Sequence, residues 1–567
     1  MHTLKIMKQE IKKLAFDVMF PERNFFDANV AWHGSMVEER EVNGETMKLV
    51  ILETSDVHGN IYPIRYADNS PEDVGMGKIA TLVYKERAKH PCTLLVDNGD
   101  MIQGTPLLYY YARFDHKRPN PMTVIANKLN YDCAVFGNHE FNFGSDVLNR
   151  AVDASKFPWL AANIVHELTG KPFFGTPYII KSYTHGPCVA VLGLTTKYVP
   201  NWEKPEHIKG MRFDDPVDTA NKWVPFLKNE KKVDVVILSY HGGFGRDLDT
   251  GEAIEELKGE NQAYQICQDV PDIDVLLTGH QHRMIYGKTI NGVAVIQPGC
   301  NGTHLGKVTL ELERAVKGWQ ITSKSSELLS VRGIKSDMSL LSYVDVYERD
   351  AQTWLDQPLG KIDGDMRVHD PMKVRTRDHP LIEFINRLQM KVSGTDISST
   401  ALFNNESPGM PEHVSMRDIV ANYIYPNTLR VLRISGQDML NALERSASYF
   451  ETYIGGPIQV SKAFTDPKPQ HYNYDMWEGI DYIIDISRPA GERIVKLSYH
   501  EAPVRMDGQY DVVMNNYRAV GGGDYFMFCK KPIVKDIPVD VTELIANEVL
   551  EKKIIKATVD HNWKIVY

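Results

Sequence analysis

Five short apolar runs in this chain stop abruptly, and each stop delivers residue types that bind metal ions. Lys48–Leu52 is followed by Thr54-Ser55-Asp56-Val57-His58-Gly59, and Thr93–Val96 by Asp97-Asn98-Gly99-Asp100. Cys133–Phe136 leads into Gly137-Asn138-His139-Glu140. Val233–Leu238 leads into Ser239-Tyr240-His241-Gly242-Gly243, and Ile273–Leu277 into Thr278-Gly279-His280-Gln281-His282. Val189–Leu192 and Val293–Ile296 are further runs of the same kind. Apolar runs without alternation are strands buried on both faces. Helical patterns such as Gly77–Arg87 and Ser145–Ala154 lie between them. This alternation predicts an α/β sheet architecture. In open α/β sheets, ligands gather beyond the carboxyl ends of the strands.

Asp56, His58, Asp100, Asn138, His241, His280 and His282 are therefore expected along one edge. Carboxylate, imidazole and amide donors suit divalent Mn, Zn, Fe or Co. The set contains no thiolate, which argues against a structural zinc site. Seven ligands are too many for one ion and suit two. Two cations about 3.5–4 Å apart need a bridging carboxylate between them, and Asp100, central in the order, is the natural bridge. Each motif by itself reads as an ordinary turn. Their co-occurrence, each at the end of an apolar run, points to a dinuclear site.

The 567 residues exceed one ordinary core. Residues 1–45 read as an extension, with Leu4, Met7, Ile11, Leu14 and Val18 at the spacing of a short amphipathic helix. Residues 46–332 hold the strand ends. Residues 333–360 read as a linker helix opened by Ser336-Asp337 and carrying Leu340, Leu341, Val344 and Tyr347. Residues 361–567 mix helices (Pro380–Lys391, Gly436–Tyr449) with strands (Leu429–Ile434, Ile480–Ile486, Tyr510–Met514), which predicts a separate α+β domain. With 43% hydrophobic and 24% charged residues, the chain is not globally disordered, and a net charge of -10 argues against a protein that coats nucleic-acid polymers. The six cysteines form no C-x-x-C pair and read as free thiols. No window approaches the ~20 apolar residues of a membrane span. Lys5, Lys8, Glu10, Lys12 and Lys13 interrupt the N-terminal apolar positions, and no A-x-A-like cleavage site follows. As written, the chain is expected in the cytoplasm; an exported location follows if a leader is missing from it. No pattern sets the oligomeric state.

Asp56-x-His58, Gly99-Asp100, Gly137-Asn138-His139-Glu140, His241 and Gly279-His280-x-His282 resemble the signature of the calcineurin-like metallophosphoesterases. The resemblance runs from about residue 47 to about residue 525. It is strongest to the two-domain 5'-nucleotidase group, in the branch called 2',3'-cyclic-nucleotide 2'-phosphodiesterase/3'-nucleotidase. It implies an α/β metallophosphoesterase β-sandwich flanked by helices, joined by the linker helix to a smaller α+β nucleotide-binding domain. It implies that Asp56, His58, bridging Asp100 and His282 hold one divalent cation. Asp100, Asn138, His241 and His280 would hold the other. A metal-activated hydroxide would attack phosphorus, with His139 stabilising the developing charge and protonating the leaving alkoxide. In 5'-nucleotidase relatives an Asp three residues after that His orients it. Here the position is Asn142, which can hold the ring but supplies no charge; its alternative is a plain loop residue.

The same resemblance implies that Tyr425 and Tyr517 clamp the nucleobase, stacking being worth about 1–3 kcal/mol per base. The alternative for both is a core or hinge position. Asn163, in Ala161-Ala162-Asn163-Ile164, matches a family asparagine near the site. The relatives hold the nucleotide with an Arg where this chain has Phe403-Asn404-Asn405-Glu406, so Asn404 or Asn405 is the remaining polar candidate there. Arg518 reads equally as a phosphate contact or an ion pair. The expected reaction is opening of 2',3'-cyclic nucleotides at the 2' bond, then removal of the phosphate from the 3' nucleotide. A 5'-nucleotidase or nucleotide-sugar hydrolase is the alternative, against which Asn142 and the missing Arg count. The intact ligands and His139 count against a catalytically silent nucleotide-binding protein.

Overall fold

The computed structural model describes residues 46–567 except His116, Glu256, Lys317, Pro426, Pro467 and Pro538. The extension 1–45, with its expected helix, lies outside the described residues. The apolar runs form strands. In chain order these are β1 (Thr46–Thr54), β2 (Thr93–Asp97), β3 (Cys133–Val135), β4 (Trp159–Leu160), β5 (Ile164–His166), β6 (Tyr178–Ser182) and β7 (Cys188–Thr195). They continue with β8 (Met211–Phe213), β9 (Val235–His241), β10 (Val275–Thr278), β11 (Met284–Ile290), β12 (Val293–Pro298), β13 (His304–Ala315) and β14 (Gly318–Ser330).

One six-stranded sheet has the order β14-β13-β1-β2-β3-β4 and a second β11-β12-β10-β9-β7-β6, while β5 pairs with β8. Strands β1 to β4 are mutually parallel, as are β7, β9, β10 and β12. Alternate side chains leave a strand on opposite faces. Leu49 and Ile51 of β1 accordingly pack with Leu94, Val96, Val191, Ile237 and Leu277 between the two sheets. Val50 and Leu52 face outward, among Ile79, Val83 and Leu108 of the helices Met76–Lys89 and Pro106–Phe114. On the other sheet Val236, Leu238 and Leu276 pack among Val217, Ala220, Val224 and Leu227 of the helix Pro216–Asn229. Each fully buried aliphatic side chain contributes about 1.5–3 kcal/mol. The outcome is the expected sandwich flanked by helices. Its helices start where the sequence supplies caps. Asn120 and Asp215 each accept two backbone N–H groups, and a proline follows each of them.

No described strand after Ser330 joins these two sheets. A five-stranded sheet runs Asp475–Glu478, Ile397–Ala401, Gln509–Asn515, Leu429–Ser435, Ile533–Ile537, and the helices Pro380–Ser393 and Gly436–Ala447 pack on it. The single connecting helix expected from the sequence is two helices, Met338–Leu341 and Asp345–Leu355. Asp337 caps the first, its Oδ1 accepting from Leu340 N at 2.8 Å. At the break the Leu341 carbonyl accepts from Val344 N and from the Tyr62 hydroxyl, so the α-helical ladder is not continued. Arg417 ties the later region to this segment, donating to Gln352 Oε1 at 2.6 Å, Asp356 Oδ1 at 2.5 Å and the Tyr66 carbonyl at 2.6 Å. All six cysteines are free. Among the described residues no helix is long and apolar enough to cross a membrane.

Candidate metal centre and substrate cavity

The carboxyl ends of β1, β2, β3, β9 and β10 open toward one place, and their loops bend sharply there. Asp56, His58, Asp100, His280 and His282 all have positive φ, between 49° and 69°. Non-glycine residues rarely adopt this conformation, and each instance costs of order 1–3 kcal/mol, held in place by surrounding structure. Here it occurs at five of the seven candidate donors, on the loops after β1, β2 and β10. Gly137 permits a close approach, because a Cβ at that position would collide with the Asp100 carboxylate.

Two groups of donor atoms result. Asp56, His58 and His282 form one; Asp100, His241 and His280 form the other. His58 Nε2 is 3.0 Å from His282 Nε2, which is 3.4 Å from Asp56 Oδ1. In the second group His241 Nε2 lies 3.3 Å from Asp100 Oδ2 and 3.2 Å from Asn138 Oδ1, and His280 Nδ1 lies 2.8 Å from that same amide oxygen. The outward ring nitrogens are also engaged. His241 Nδ1 donates to the Asn98 carbonyl at 2.6 Å and His280 Nε2 to Glu260 at 2.8 Å. Such partners set the tautomer and aim the inner nitrogen at a cation. Glu140 braces the loops from below, its carboxylate accepting from the backbone N–H groups of Asp100, Gly137, Met101 and Ile102.

Charge in the site suits cations. Burial opposes ionisation of Asp56, yet the hydrogen bond and charge of His282 hold it well below the usual carboxylate range. Burial likewise opposes ionisation of Asp100, and the charges of His241 and His139 hold it well below. Burial, aided by the charge of His282, pushes His58 down to about 3. Burial and the nearby Lys468 push His282 down to about 4. Burial opposes the charge of His241, but Asp100 raises it to about 10. Ionised Asp56 and Asp100 beside the neutral imidazoles of His58 and His282 form the donor set of a divalent cation site, and a cation at Asp100 would displace the proton that this carboxylate holds on His241. The seven residues fit two such ions.

His139 stands beside the first group, its ring edge-on to His58 with centroids 5.3 Å apart. Its Nδ1 is 2.7 Å from Asn142 Oδ1. Asn142 Nδ2 in turn donates to Glu203 Oε2 at 2.8 Å. The sequence carried no signal for Glu203. It sits on the loop around the short turn Val199–Asn201, whose Trp202 packs against His280 with centroids 5.3 Å apart.

One cavity of about 540 Å³ joins this centre to the later region. Asn138, His139, Asn142 and His280 of the sandwich line it, as do Phe403, Tyr425, Tyr472 and Tyr517 of the later region. Tyr472, also without a sequence signal, stands edge-on to both Tyr425 and Tyr517, at 5.9 and 6.3 Å between centroids. Lys468 lines the cavity too, with Nζ 3.5 Å from His282 Nε2. Three candidates, Asn163, Asn404 and Asn405, do not line this cavity. Asn163 is fully buried, and its side chain bonds the Thr195 backbone and the Asp214 carbonyl, bridging β7 to the end of β8. Asn404 accepts from Glu406 N and Ser407 Oγ within its own turn, while Asn405 Oδ1 accepts from Arg375. Arg518 makes a buried two-pronged ion pair with Asp475, at 2.8 and 3.0 Å, so its role is structural.

Residues 49–284 match the calcineurin-like phosphoesterase family, and residues 358–530 match the 5'-nucleotidase C-terminal domain. The 2',3'-cyclic-nucleotide 2'-phosphodiesterase/3'-nucleotidase of Salmonella typhimurium is 30% identical over 85% of this chain and 82% of its own length. The trifunctional nucleotide phosphoesterase YfkN of Bacillus subtilis is 26% identical over 93% of this chain, which spans 40% of that relative. The crystal structure of a Staphylococcus aureus protein described as a 5'-nucleotidase, solved with alpha-ketoglutarate, superposes with a TM-score of 0.83. It is 32% identical, covering 91% of this chain and 99% of that one.

Proposed function

Because the chain belongs to the calcineurin-like phosphoesterases that carry a 5'-nucleotidase C-terminal domain, and is a metal-dependent phosphoric ester hydrolase, we propose that it opens 2',3'-cyclic nucleotides at the 2' bond and then removes the 3' phosphate. The observation that carries this reading is that one cavity is lined both by Asn138, His280 and His139 of the sandwich and by Tyr425 and Tyr517 of the later region. A phosphoester beside the first set and a base beside the second describe a nucleotide. Asn142 in place of Asp, the Arg-free stretch Phe403–Glu406 and the relative named for the cyclic-nucleotide activity favour this branch. The likeness to the Staphylococcus aureus protein favours the alternative, a 5'-nucleotidase using the same centre.

In this reading Asp56, His58, Asp100 and His282 would hold one cation, and Asp100, Asn138, His241 and His280 the other. Such cations would polarise phosphoryl oxygens and acidify water at neutral pH. The chain does the rest. Asn98 and Glu260 keep the inner nitrogens of His241 and His280 aimed inward. His139, held through Nδ1 by Asn142, presents Nε2 to the leaving oxygen and protonates it, a contribution of typically ~10²–10⁴-fold. Tyr425 and Tyr517 hold the base. The first hydrolysis leaves a free 2' hydroxyl and a 3' phosphate; the second consumes another water and releases nucleoside and phosphate.

The test is hydrolysis by metal-stripped protein with Mn²⁺ restored, on 2',3'-cyclic AMP with 5'-AMP alongside. Metal-dependent opening to 3'-AMP and then adenosine, with little 5'-AMP turnover, is expected. Turnover of 5'-AMP with no opening of the cyclic ester would hand the site to the alternative.

A further inference from the structure

We propose that Glu203 is a positioning residue that fixes the amide of Asn142 and, through it, the tautomer of His139. The proposal rests on the reading of His139 as the acid for the leaving group. A side-chain amide has an accepting end and a donating end of nearly equal shape. By itself Asn142 can present either to a ring nitrogen. If the NH₂ end faced His139, Nδ1 would have to accept, and the ring proton would sit on Nε2. A carboxylate only accepts, so Glu203 Oε2 at 2.8 Å can be met only by the NH₂ end. That turns Asn142 Oδ1 to His139 at 2.7 Å, where Nδ1 must donate. Nε2 is then left as the nitrogen that gains and gives up the mobile proton.

Glu203 is itself immobilised. Its Oε1 accepts from Lys204 N at 2.8 Å and from His207 Nδ1 at 2.9 Å, and its side chain is only 6% exposed. A carboxylate at position 142 would face this histidine directly; here the carboxylate stands one residue further out and acts through an amide. Consecutive hydrogen bonds in a poorly solvated site polarise one another, so the amide oxygen facing His139 is strengthened as an acceptor.

The experiment compares Glu203→Gln with the full-length wild-type protein, both loaded with Mn²⁺, on two phosphomonoesters. One is whichever alkyl nucleotide ester the wild type hydrolyses, 3'-AMP or 5'-AMP, whose alkoxide needs a proton. The other is p-nitrophenyl phosphate, whose leaving group needs none. Glu203→Gln should lower kcat on the nucleotide by roughly 10–100-fold, as loss of an orienting partner typically does. It should change KM little and leave p-nitrophenyl phosphate within about twofold. Asn142→Asp should restore much of the nucleotide activity of Glu203→Gln by placing a charge directly on His139. In protein with ¹⁵N-labelled histidine and no metal, His139 should be the Nδ1–H tautomer in wild type and a mixture in Glu203→Gln. Equal losses on both esters, or an Nε2–H tautomer in wild type, would overturn the proposal. His139→Ala separates the two readings. If it shows no leaving-group dependence, the acid role itself fails. If it shows that dependence and Glu203→Gln does not, the positioning role fails alone.

Discussion

Nζ of Lys468 lies 3.5 Å from Nε2 of His282, so a cation from the C-terminal region reaches the metal-type triad of the sandwich. The stretch Phe403-Asn404-Asn405-Glu406 carries no Arg, and Lys468 is a cation on the cavity wall beside His282. A charge-assisted hydrogen bond to phosphate contributes about 1.5–3 kcal/mol. Lys468→Met is expected to lower kcat/KM on the nucleotide about tenfold or more, with metal content unchanged. Lys468→Arg should keep most of the activity. A loss of less than twofold in Lys468→Met would remove Lys468 from substrate binding.

Asp100 belongs to both proposed metal sites, and its backbone is braced by Glu140. Asp100→Asn is expected to lower bound metal from two ions per chain toward none and to reduce turnover by at least ~10³-fold, with the circular dichroism unchanged. His139→Ala should keep both ions while losing ~10²–10⁴-fold in turnover, the range for a positioned acid. Elemental analysis beside the kinetics separates the two outcomes. Full metal occupancy in Asp100→Asn would contradict the bridge.

Tyr425 and Tyr517 line the cavity, each edge-on to Tyr472. Stacking contributes about 1–3 kcal/mol per base, so each alanine variant should raise KM for the nucleotide by roughly 5–150-fold. Hydrolysis of p-nitrophenyl phosphate, which has no base, should be unchanged. Equal effects on the two substrates would assign the rings to the core.

Glu478 reports on pH. Burial, reinforced by Asp560 and Glu383, pushes its carboxyl up to about 8 from the ordinary 4.5, against the pull of Arg387. Between those values the folded chain holds a proton that the unfolded chain has released. Its contribution to stability is therefore full below about 4.5 and is lost as pH rises toward 8. Tm is expected to fall from pH 5 to pH 8, and to fall less in Glu478→Gln. Identical slopes in the two proteins would refute the assignment.

The metal-type residues were legible because each belongs to a short motif within a few positions of a strand end, and strand ends show in the hydrophobic pattern. Their partners were not. Glu203 is 61 residues from Asn142, Glu260 is 20 from His280, and Lys468 is 186 from His282, each on a loop without periodicity. Asn163 misled in the opposite direction. Its neighbourhood in sequence resembles a site, but all its side-chain bonds go to the backbone around β7 and β8. The linker shows the same limit, since Tyr62, distant in sequence, takes the Leu341 carbonyl where the helix breaks.

The sequence by itself determined the α/β alternation and showed the seven candidate donor residues at its strand ends, while the sandwich was legible only through the family resemblance. Strand periodicity, turn chemistry and residue type act over a few neighbours, and that information is local. Only the tertiary structure decided which donors face one another, that five of the seven sit on left-handed backbone, and that an amide relays Glu203 to His139. It also decided that one cavity reaches both regions. Those are contacts between loops far apart in the chain, and they are set by how the two sheets pack and how the second region docks. No local pattern encodes that.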